Sequence, residues 1–398
     1  MGKKVLIFLI CVFLIAFPKG GIKVGDTPIT FGYILLMLYT FFSLIIIINE
    51  NSNRNNVYVK RGRQHVLLCC LPFQIYSSII LMLSENTVSF GFVLSFVLSV
   101  ILMPLIFLFF FNKYIDRNYF EGVFNPVFKN SIRFVSIFGI IVFFIKIRTG
   151  KEIEIPFLTV NIDDVGTLAG KYNSRGTISK LISTYNNGNI YGISLIILLP
   201  LYLEREKFLI FKGLLILSLI LTLSRTVWAG LLIFMIVYFI TKLNSVKGWI
   251  VILGSLIFIV VAGPIILNAM GVNLDFLFDK TLGGRAQSLN VLNDISMFGS
   301  LIYKGVSEIV YVSILDTFGF LGLLFFIIYL LSPVVIYLNT RRRDRNFNKS
   351  EAFWGLWLYW LLCLSDGAML FIPVMAFYWF LASYIFRDRQ PALEPAYS

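Results

Sequence analysis

Histidine is all but absent from the chain: the one residue in 398, His65, falls in a basic connecting segment expected to be a loop. Cysteine is scarce as well. Cys11, Cys69, Cys70 and Cys363 all sit inside apolar runs, with no partner at metal-ligand spacing. Zinc and haem centres, which draw on those residues, are therefore excluded, and so is a disulfide scaffold. The third shortage is charge. Asp, Glu, Lys and Arg make up 14% of the chain, against about 25% in an ordinary soluble domain. So few charges exclude a soluble enzyme. What takes their place excludes a disordered chain: 58% hydrophobic residues, with 40 Phe and 19 Tyr. The main solvent of such a chain is lipid.

Unbroken apolar runs recur along it: Val5–Phe17, Thr30–Ile48, Val66–Leu83, Val88–Phe111, Phe134–Ile145, Ile190–Leu203, Leu209–Leu223, Thr226–Ile240, Gly248–Met270, Tyr311–Leu338, Phe353–Leu364 and Ala368–Phe386. A hydrocarbon core about 30 Å thick needs about 20 helical residues, and the shorter runs complete a span with their polar flanks. A closed barrel is the other way to span. Its strands alternate over about ten residues, whereas Leu44–Ile48 and Leu214–Leu217 are continuous. The reading is all-α: a polytopic integral membrane protein of about twelve transmembrane helices, a single domain over 1–398. The first run also has the basic start and short apolar core of a secretory signal, but Pro18, Lys19 and Gly20 follow it in place of an A-x-A site. No internal repeat is evident, which counts against an inverted-repeat transporter.

The formal net charge is +13, from 34 basic and 21 acidic residues. With the N-terminus in the cytoplasm, 22 of the 34 basic and 9 of the 21 acidic residues fall on the cytoplasmic side. That side then carries the whole excess, as the positive-inside bias requires. Nucleic acid is not needed to explain it, and both termini are expected to be cytoplasmic. Most outer connections are short, but 146–189 and 271–307 are long. Segments of this length are usually functional. Their apolar and aromatic residues (Phe157, Leu158, Tyr172, Tyr185, Phe276, Phe278, Leu289, Leu292) predict that both fold onto the outer helix ends.

Three outer arginines run against the charge bias. Arg225 lies at the tip of a hairpin between two apolar helices, Arg285 follows Gly283 and Gly284, and Arg175 lies in Lys171–Gly176. A guanidinium matches phosphate oxygens with a rigid fork of donors and keeps its charge. Three of them together would suit a lipid-linked pyrophosphate; a solvated or snorkelling side chain is the plain alternative for each. Carboxylates near that face are few: Glu308, Asp316, Asp163, Asp164 and Asp366. An ionisable group at the edge of a span is a functional candidate by default. Glu308 suits a base on a sugar hydroxyl or is an exposed loop acid; Asp316 is a second candidate, or a helix cap or arginine partner. In Ser183–Gly192, Tyr185 and Asn187 suit sugar hydroxyls, or the stretch is a turn and a helix cap.

Leu221-Thr-Leu-Ser-Arg-Thr-Val-Trp-Ala-Gly230 resembles the T-x-S-R signature of the bacterial O-antigen polymerase and ligase superfamily, which includes the Wzy-type polymerases. Glu308-Ile-Val-Tyr-Val-Ser-Ile-Leu-Asp-Thr-Phe-Gly-Phe-Leu-Gly322 resembles its H-N-x-Y-L-x-x-L-x-x-x-G-x-x-G block, with Tyr311, Leu315, Gly319 and Gly322 in register. Arg285 is similar to an arginine of the second periplasmic loop, and Tyr185–Asn189 to the P-N-x-x-A motif without its Pro. The likeness in layout covers nearly the whole chain. Where the ligases carry His at the start of the block, Glu308 stands here, which favours the polymerase branch.

The resemblance implies a GT-C-like membrane glycosyltransferase of the bacterial inner membrane, working at the periplasmic face without metal or cofactor. Donor and acceptor would be undecaprenyl-pyrophosphate-linked oligosaccharides. Arg225, Arg285 and Arg175 would bind donor pyrophosphate or sugar, and Glu308, Asp316 or Asp164 would handle the acceptor proton. A chain-length regulator (a polysaccharide co-polymerase) and a flippase would be the partners, alongside membrane lipid. The alternatives are a lipid-linked polysaccharide flippase or other transporter, the O-antigen ligase, and a membrane acyltransferase, which would want an outer His base.

Overall fold

The computed structural model describes residues 2–24, 27–49, 57–84, 90–111, 120–168, 174–175, 178–242, 285–299, 308–343 and 350–386. Helices occupy the apolar runs, except Gly248–Met270, which lies outside the described residues. In chain order, α1 (Gly2–Cys11) continues through a wide turn at Val12–Ala16. A hairpin follows, β1 (Gly21–Val24) against β2 (Thr27–Thr30). Next come α2 (Phe31–Asn49), α3 (Val57–Leu83), α4 (Phe90–Phe96, then wide turns at Val97–Leu102 and Ile106–Phe111 around one ordinary turn) and α5 (Asn125–Thr149). A second small hairpin pairs β3 (Ser174–Arg175) with β4 (Ile178–Ser179). Then follow α6 (Gly188–Arg205), α7 (Leu209–Ile220), α8 (Arg225–Lys242), α9 (Val310–Arg343), α10 (Ser350–Leu362) and α11 (Ile372–Ile385).

The burial pattern is that of a bundle in lipid. Every residue of α11 is buried, and so is nearly all of α6; a helix apolar on all sides belongs in such an interior. The surrounding helices present apolar residues outward, among them Met82 at 86% exposure and Leu68 at 61%. Water would penalise so large an apolar exterior, whereas hydrocarbon does not. By length and composition, the helical stretches Gly62–Leu83, Phe90–Phe109, Glu121–Thr149 and Val310–Arg341 can each cross a bilayer. Small residues let the inner helices approach. A Cβ on Gly192 of α6 would lie 2.2 Å from Val227 of α8, and one on Gly355 of α10 would lie 2.4 Å from the Ile197 carbonyl of α6. Ring contacts join α3 to α9, with Phe73 5.0 Å from Phe326 and 5.5 Å from Tyr329 between centroids.

Two expectations are revised. α3 starts at Val57, so His65 is an exposed helical residue and not part of a loop. α5 runs to Thr149 before Gly150 caps it in the left-handed region, so the first long connection starts later than Lys146. The first apolar run packs into the bundle, where Ile7, Cys11 and Leu14 share a buried region with Phe128, Leu198 and Phe377.

At one end of the bundle two arginines join α5, α6 and α11. Glu206, just after α6, accepts from Arg133 Nε at 2.6 Å and Nη2 at 2.8 Å, and from the Phe208 amide at 2.9 Å. Burial pushes the Glu206 carboxyl up, but those hydrogen bonds and the Arg133 charge outweigh it and hold the group at about 2. Arg205 reaches Glu121 at 2.9 Å and donates to Tyr384 Oη at 2.5 Å.

α9 is not one continuous rod. It breaks at Gly319, whose φ of 70° and ψ of −174° suit glycine alone. The second long connection returns to this break. The Phe320 amide donates to Ser296 O at 3.0 Å and the Leu321 amide to Met297 O at 3.1 Å. Tyr76 Oη donates to Phe298 O at 3.2 Å and Phe318 O at 3.0 Å. These bonds satisfy main-chain groups that the break frees, as a membrane protein requires. A Cβ on Gly319 would sit 2.2 Å from the Gly299 nitrogen. Gly319→Ala is therefore expected to cost at least about 1–3 kcal/mol of stability and to detach 296–299. Thermal unfolding in detergent and limited proteolysis within 285–299 check this; an unchanged melt and cleavage pattern would contradict it.

Candidate functional site

The site is built at the opposite end from the Arg133–Glu206 pair, where four connections meet. The segment before α6 dives into the bundle. Leu181 to Asn186 are all buried, although only Ser183–Tyr185 form a short helical turn. Ser183 and Asn186 both take positive φ. Two main-chain tethers hold the segment: the Leu181 amide donates to Leu221 O at 3.0 Å, and Ser183 Oγ to Val135 O at 2.7 Å. A side chain on Gly188 would clash with the Leu181 carbonyl at 2.8 Å. Asn187 then caps α6, its Oδ1 accepting from the Asn189 amide at 2.8 Å and the Ile190 amide at 3.3 Å.

The other connections come to this helix start. Leu221–Ser224 turn the chain from α7 into α8, with Leu223 at positive φ. Thr226 Oγ1 lies 2.7 Å from Ser365 Oγ, in the connection between α10 and α11. Asn189 Nδ2 donates to Asp366 Oδ2 at 3.1 Å. The Gly367 amide donates to Glu308 O at 3.3 Å. The start of α9 is fixed alongside, Tyr311 Oη donating to Trp360 O at 2.9 Å.

Arg225, Glu308 and Asn187 thus belong to segments that the fold brings together. Arg225 is half-buried at the first position of α8, and Glu308 is exposed. Asp316 is half-buried one turn before the break at Gly319. The cap role expected as the alternative for Asn187 is the one it plays, and the residue stays exposed. Tyr185 requires a correction: it is fully buried, its Oη donates to Ile15 O at 3.0 Å, and its ring packs edge-on against Tyr191. Its hydroxyl and its ring are both taken up inside the bundle. Asp164 lies in the short turn Ile162–Asp164, where Asn161 Nδ2 approaches its carboxylate at 3.4 Å and Thr167 Oγ1 donates to its carbonyl at 2.6 Å. The main chain of Arg175 is in β3 and that of Arg285 opens the 3-10 turn Arg285–Asn293; their side chains lie outside the described set. Of the apolar residues expected to fold inward, Phe157, Leu289 and Leu292 are exposed, while Tyr172, Phe276 and Phe278 lie outside the described residues.

Two other cations at this end have local duties. Lys146 pairs with Glu152, and Lys19 sits 4.5 Å over the Phe371 ring. The residue that sequence reasoning undervalued is Asp366. The sequence marks Asp366 only as one of several outer carboxylates, and the fold shows that Ser365, Asp366 and Gly367 each contact a different segment.

No family model, curated protein or solved structure matches the chain. Its class rests on the fold: a membrane-embedded protein built of α-helices, several of them apolar enough to lie in lipid.

Proposed function

We propose that the protein is a polytopic glycosyltransferase, an O-antigen polymerase of the Wzy type, with about twelve spans and both termini in the cytoplasm of a bacterial inner membrane. It joins undecaprenyl-pyrophosphate-linked repeat units at the periplasmic face. The observation that carries this reading is the meeting, at one end of the bundle, of the Ser224–Thr226 hairpin, the α6 start, Glu308 and the 365–367 connection. The Arg133–Glu206 end, with Arg205 and Lys207 beside it, is then cytoplasmic.

In this reading Arg225 and Arg285 hold the pyrophosphate, with Arg175 on donor phosphate or sugar. An acceptor hydroxyl attacks the anomeric carbon of the donor and undecaprenyl pyrophosphate leaves. Pyrophosphate is a good leaving group, so the protein supplies positioning and charge stabilisation. A polysaccharide co-polymerase and a flippase are the proposed partners. The deciding assay gives purified protein one lipid-linked repeat unit and looks for a ladder of products; no ladder would reject the reading.

A transporter is favoured by one feature, the break in α9, since discontinuous helices often line transport sites. Here 296–299 fills the break. Cells lacking a polymerase should still place single repeats on lipid A, whereas cells lacking a flippase should place none.

The orientation has its own test. With Cys11, Cys69, Cys70 and Cys363 replaced by Ala, a cysteine at exposed Asn290 is expected to react with an impermeant thiol reagent from the periplasm. One at exposed Lys207 is expected to stay unlabelled until the membrane is opened. The reverse pattern would place the site in the cytoplasm.

A further inference from the structure

Ser365, Asp366 and Gly367 form the hub of the site. Ser365 contacts Thr226 of α8 at 2.7 Å, Asp366 accepts from Asn189 of α6 at 3.1 Å, and the Gly367 amide donates to Glu308 O at 3.3 Å. Asp366 is only 5% exposed. A carboxylate so enclosed at the end of a span is costly to keep. Its neighbour adds an independent sign. Asn189 is 8% exposed, and the Oδ1 of the same amide that bonds Asp366 accepts no hydrogen bond. Buried acceptors without a donor are rare. Two acceptor groups therefore stand side by side at the site, one of them lacking a donor.

A ligand that answers the open Asn189 oxygen must bring a donor. A cation is disfavoured, because Asn189 is in the first turn of α6, where the helix dipole is positive. Neutral hydroxyls meet no such penalty, and vicinal hydroxyls on a sugar ring have the spacing to reach two adjacent oxygens. We propose that Asp366 and Asn189 form the acceptor-sugar subsite, and that Asp366 is the base of the transfer. The inference rests on the polymerase reading and names the group that the reading leaves open. Glu308 is a weaker base by position, since it is exposed and joins the hub through its main chain.

The acceptor O–H bond breaks and its proton passes to an Asp366 carboxylate oxygen. The oxygen's electron pair forms the new bond to the anomeric carbon of the donor sugar. The bond from that carbon to the phosphate oxygen breaks, and its electron pair leaves with the polyprenyl diphosphate.

The test uses the full chain in detergent or proteoliposomes, with a polyprenyl-diphosphate-linked repeat unit as substrate and undecaprenyl pyrophosphate as binding probe. A wild type that makes no ladder rejects the polymerase reading itself. With an active wild type, Asp366→Asn and Asp366→Ser are expected to lose about 10²–10⁴-fold in turnover. Both should keep wild-type affinity for the pyrophosphate probe and a wild-type elution profile. Asn189→Ala is expected to raise KM for the acceptor more than it lowers kcat. Turnover within tenfold of wild type in either folded Asp366 variant overturns the proposal. So does failure of both variants to fold, which would make Asp366 a structural residue only.

Discussion

Arg133→Ala is expected to be among the most destabilising single substitutions in the described chain. Glu206 is buried, and three of its donors are Arg133 Nε, Arg133 Nη2 and the Phe208 amide. Removing the guanidinium leaves a buried carboxylate short of its counter-charge, which typically costs about 3–5 kcal/mol. The loss also takes away the guanidinium that sits 4.2 Å over the Phe211 ring. Arg133→Ala combined with Glu206→Leu is expected to recover most of the loss, because no charge is then stranded. Thermal unfolding in detergent separates the two. A single variant as stable as the wild type would show that the pair is not needed.

The same pair sets a pH dependence. Its carboxyl is held at about 2 in the fold, below its unfolded value of about 4.3. The stabilisation is therefore complete above the unfolded value and lost as pH falls through about 2. Glu206→Gln should remove that part of the acid sensitivity.

Much of the fold was legible because lipid imposes a simple code. A chain with so few charges and unbroken, non-alternating apolar runs hides its backbone in helices, and the described apolar runs became helices nearly where hydropathy placed them. Helix ends were less legible. α3 and α5 extend past their apolar runs through polar turns such as Arg63-Gln64-His65 and Asn125–Arg133, because helices project beyond the hydrocarbon core. The break at Gly319 was invisible to hydropathy, which sees composition and not φ. Only the register of Gly319 and Gly322 with a family block pointed there, and the structure supplies the reasons. Gly319 turns the chain at positive φ; a Cβ on Gly322 would sit 2.3 Å from that of Phe318. The site was legible as a set of segments but not as a set of contacts. Tyr185 looked like a sugar ligand because aromatic residues suit sugars, yet the same ring buries well, and the bundle used it for that. Asp366 stood among the outer carboxylates without a role because its partner, Asn189, is far away in sequence.

If the protein is the proposed polymerase, Arg225 is where charge type and geometry should matter most for activity. It opens α8, next to Thr226, which is tied to Ser365, so the hydrogen-bonded hub fixes the main chain that carries the guanidinium. A donor aimed at charge that develops on a departing pyrophosphate is worth most when it needs no rearrangement. Arg225→Ala is expected to raise the barrier by about 2–4 kcal/mol, the range seen when one such donor is removed. Arg225→Lys should fare little better, because an ammonium is a point charge and cannot make two parallel contacts to phosphate oxygens. Both variants should keep the fold, since a half-buried residue at the first position of a helix carries little of the core. The measurement is the rate of ladder formation together with affinity for undecaprenyl pyrophosphate. Both should fall, in contrast to the Asp366 variants, where only the rate falls. Wild-type rate and affinity in Arg225→Lys would reduce the residue to a general source of positive charge. The pyrophosphate would then have to be held by Arg285 or Arg175.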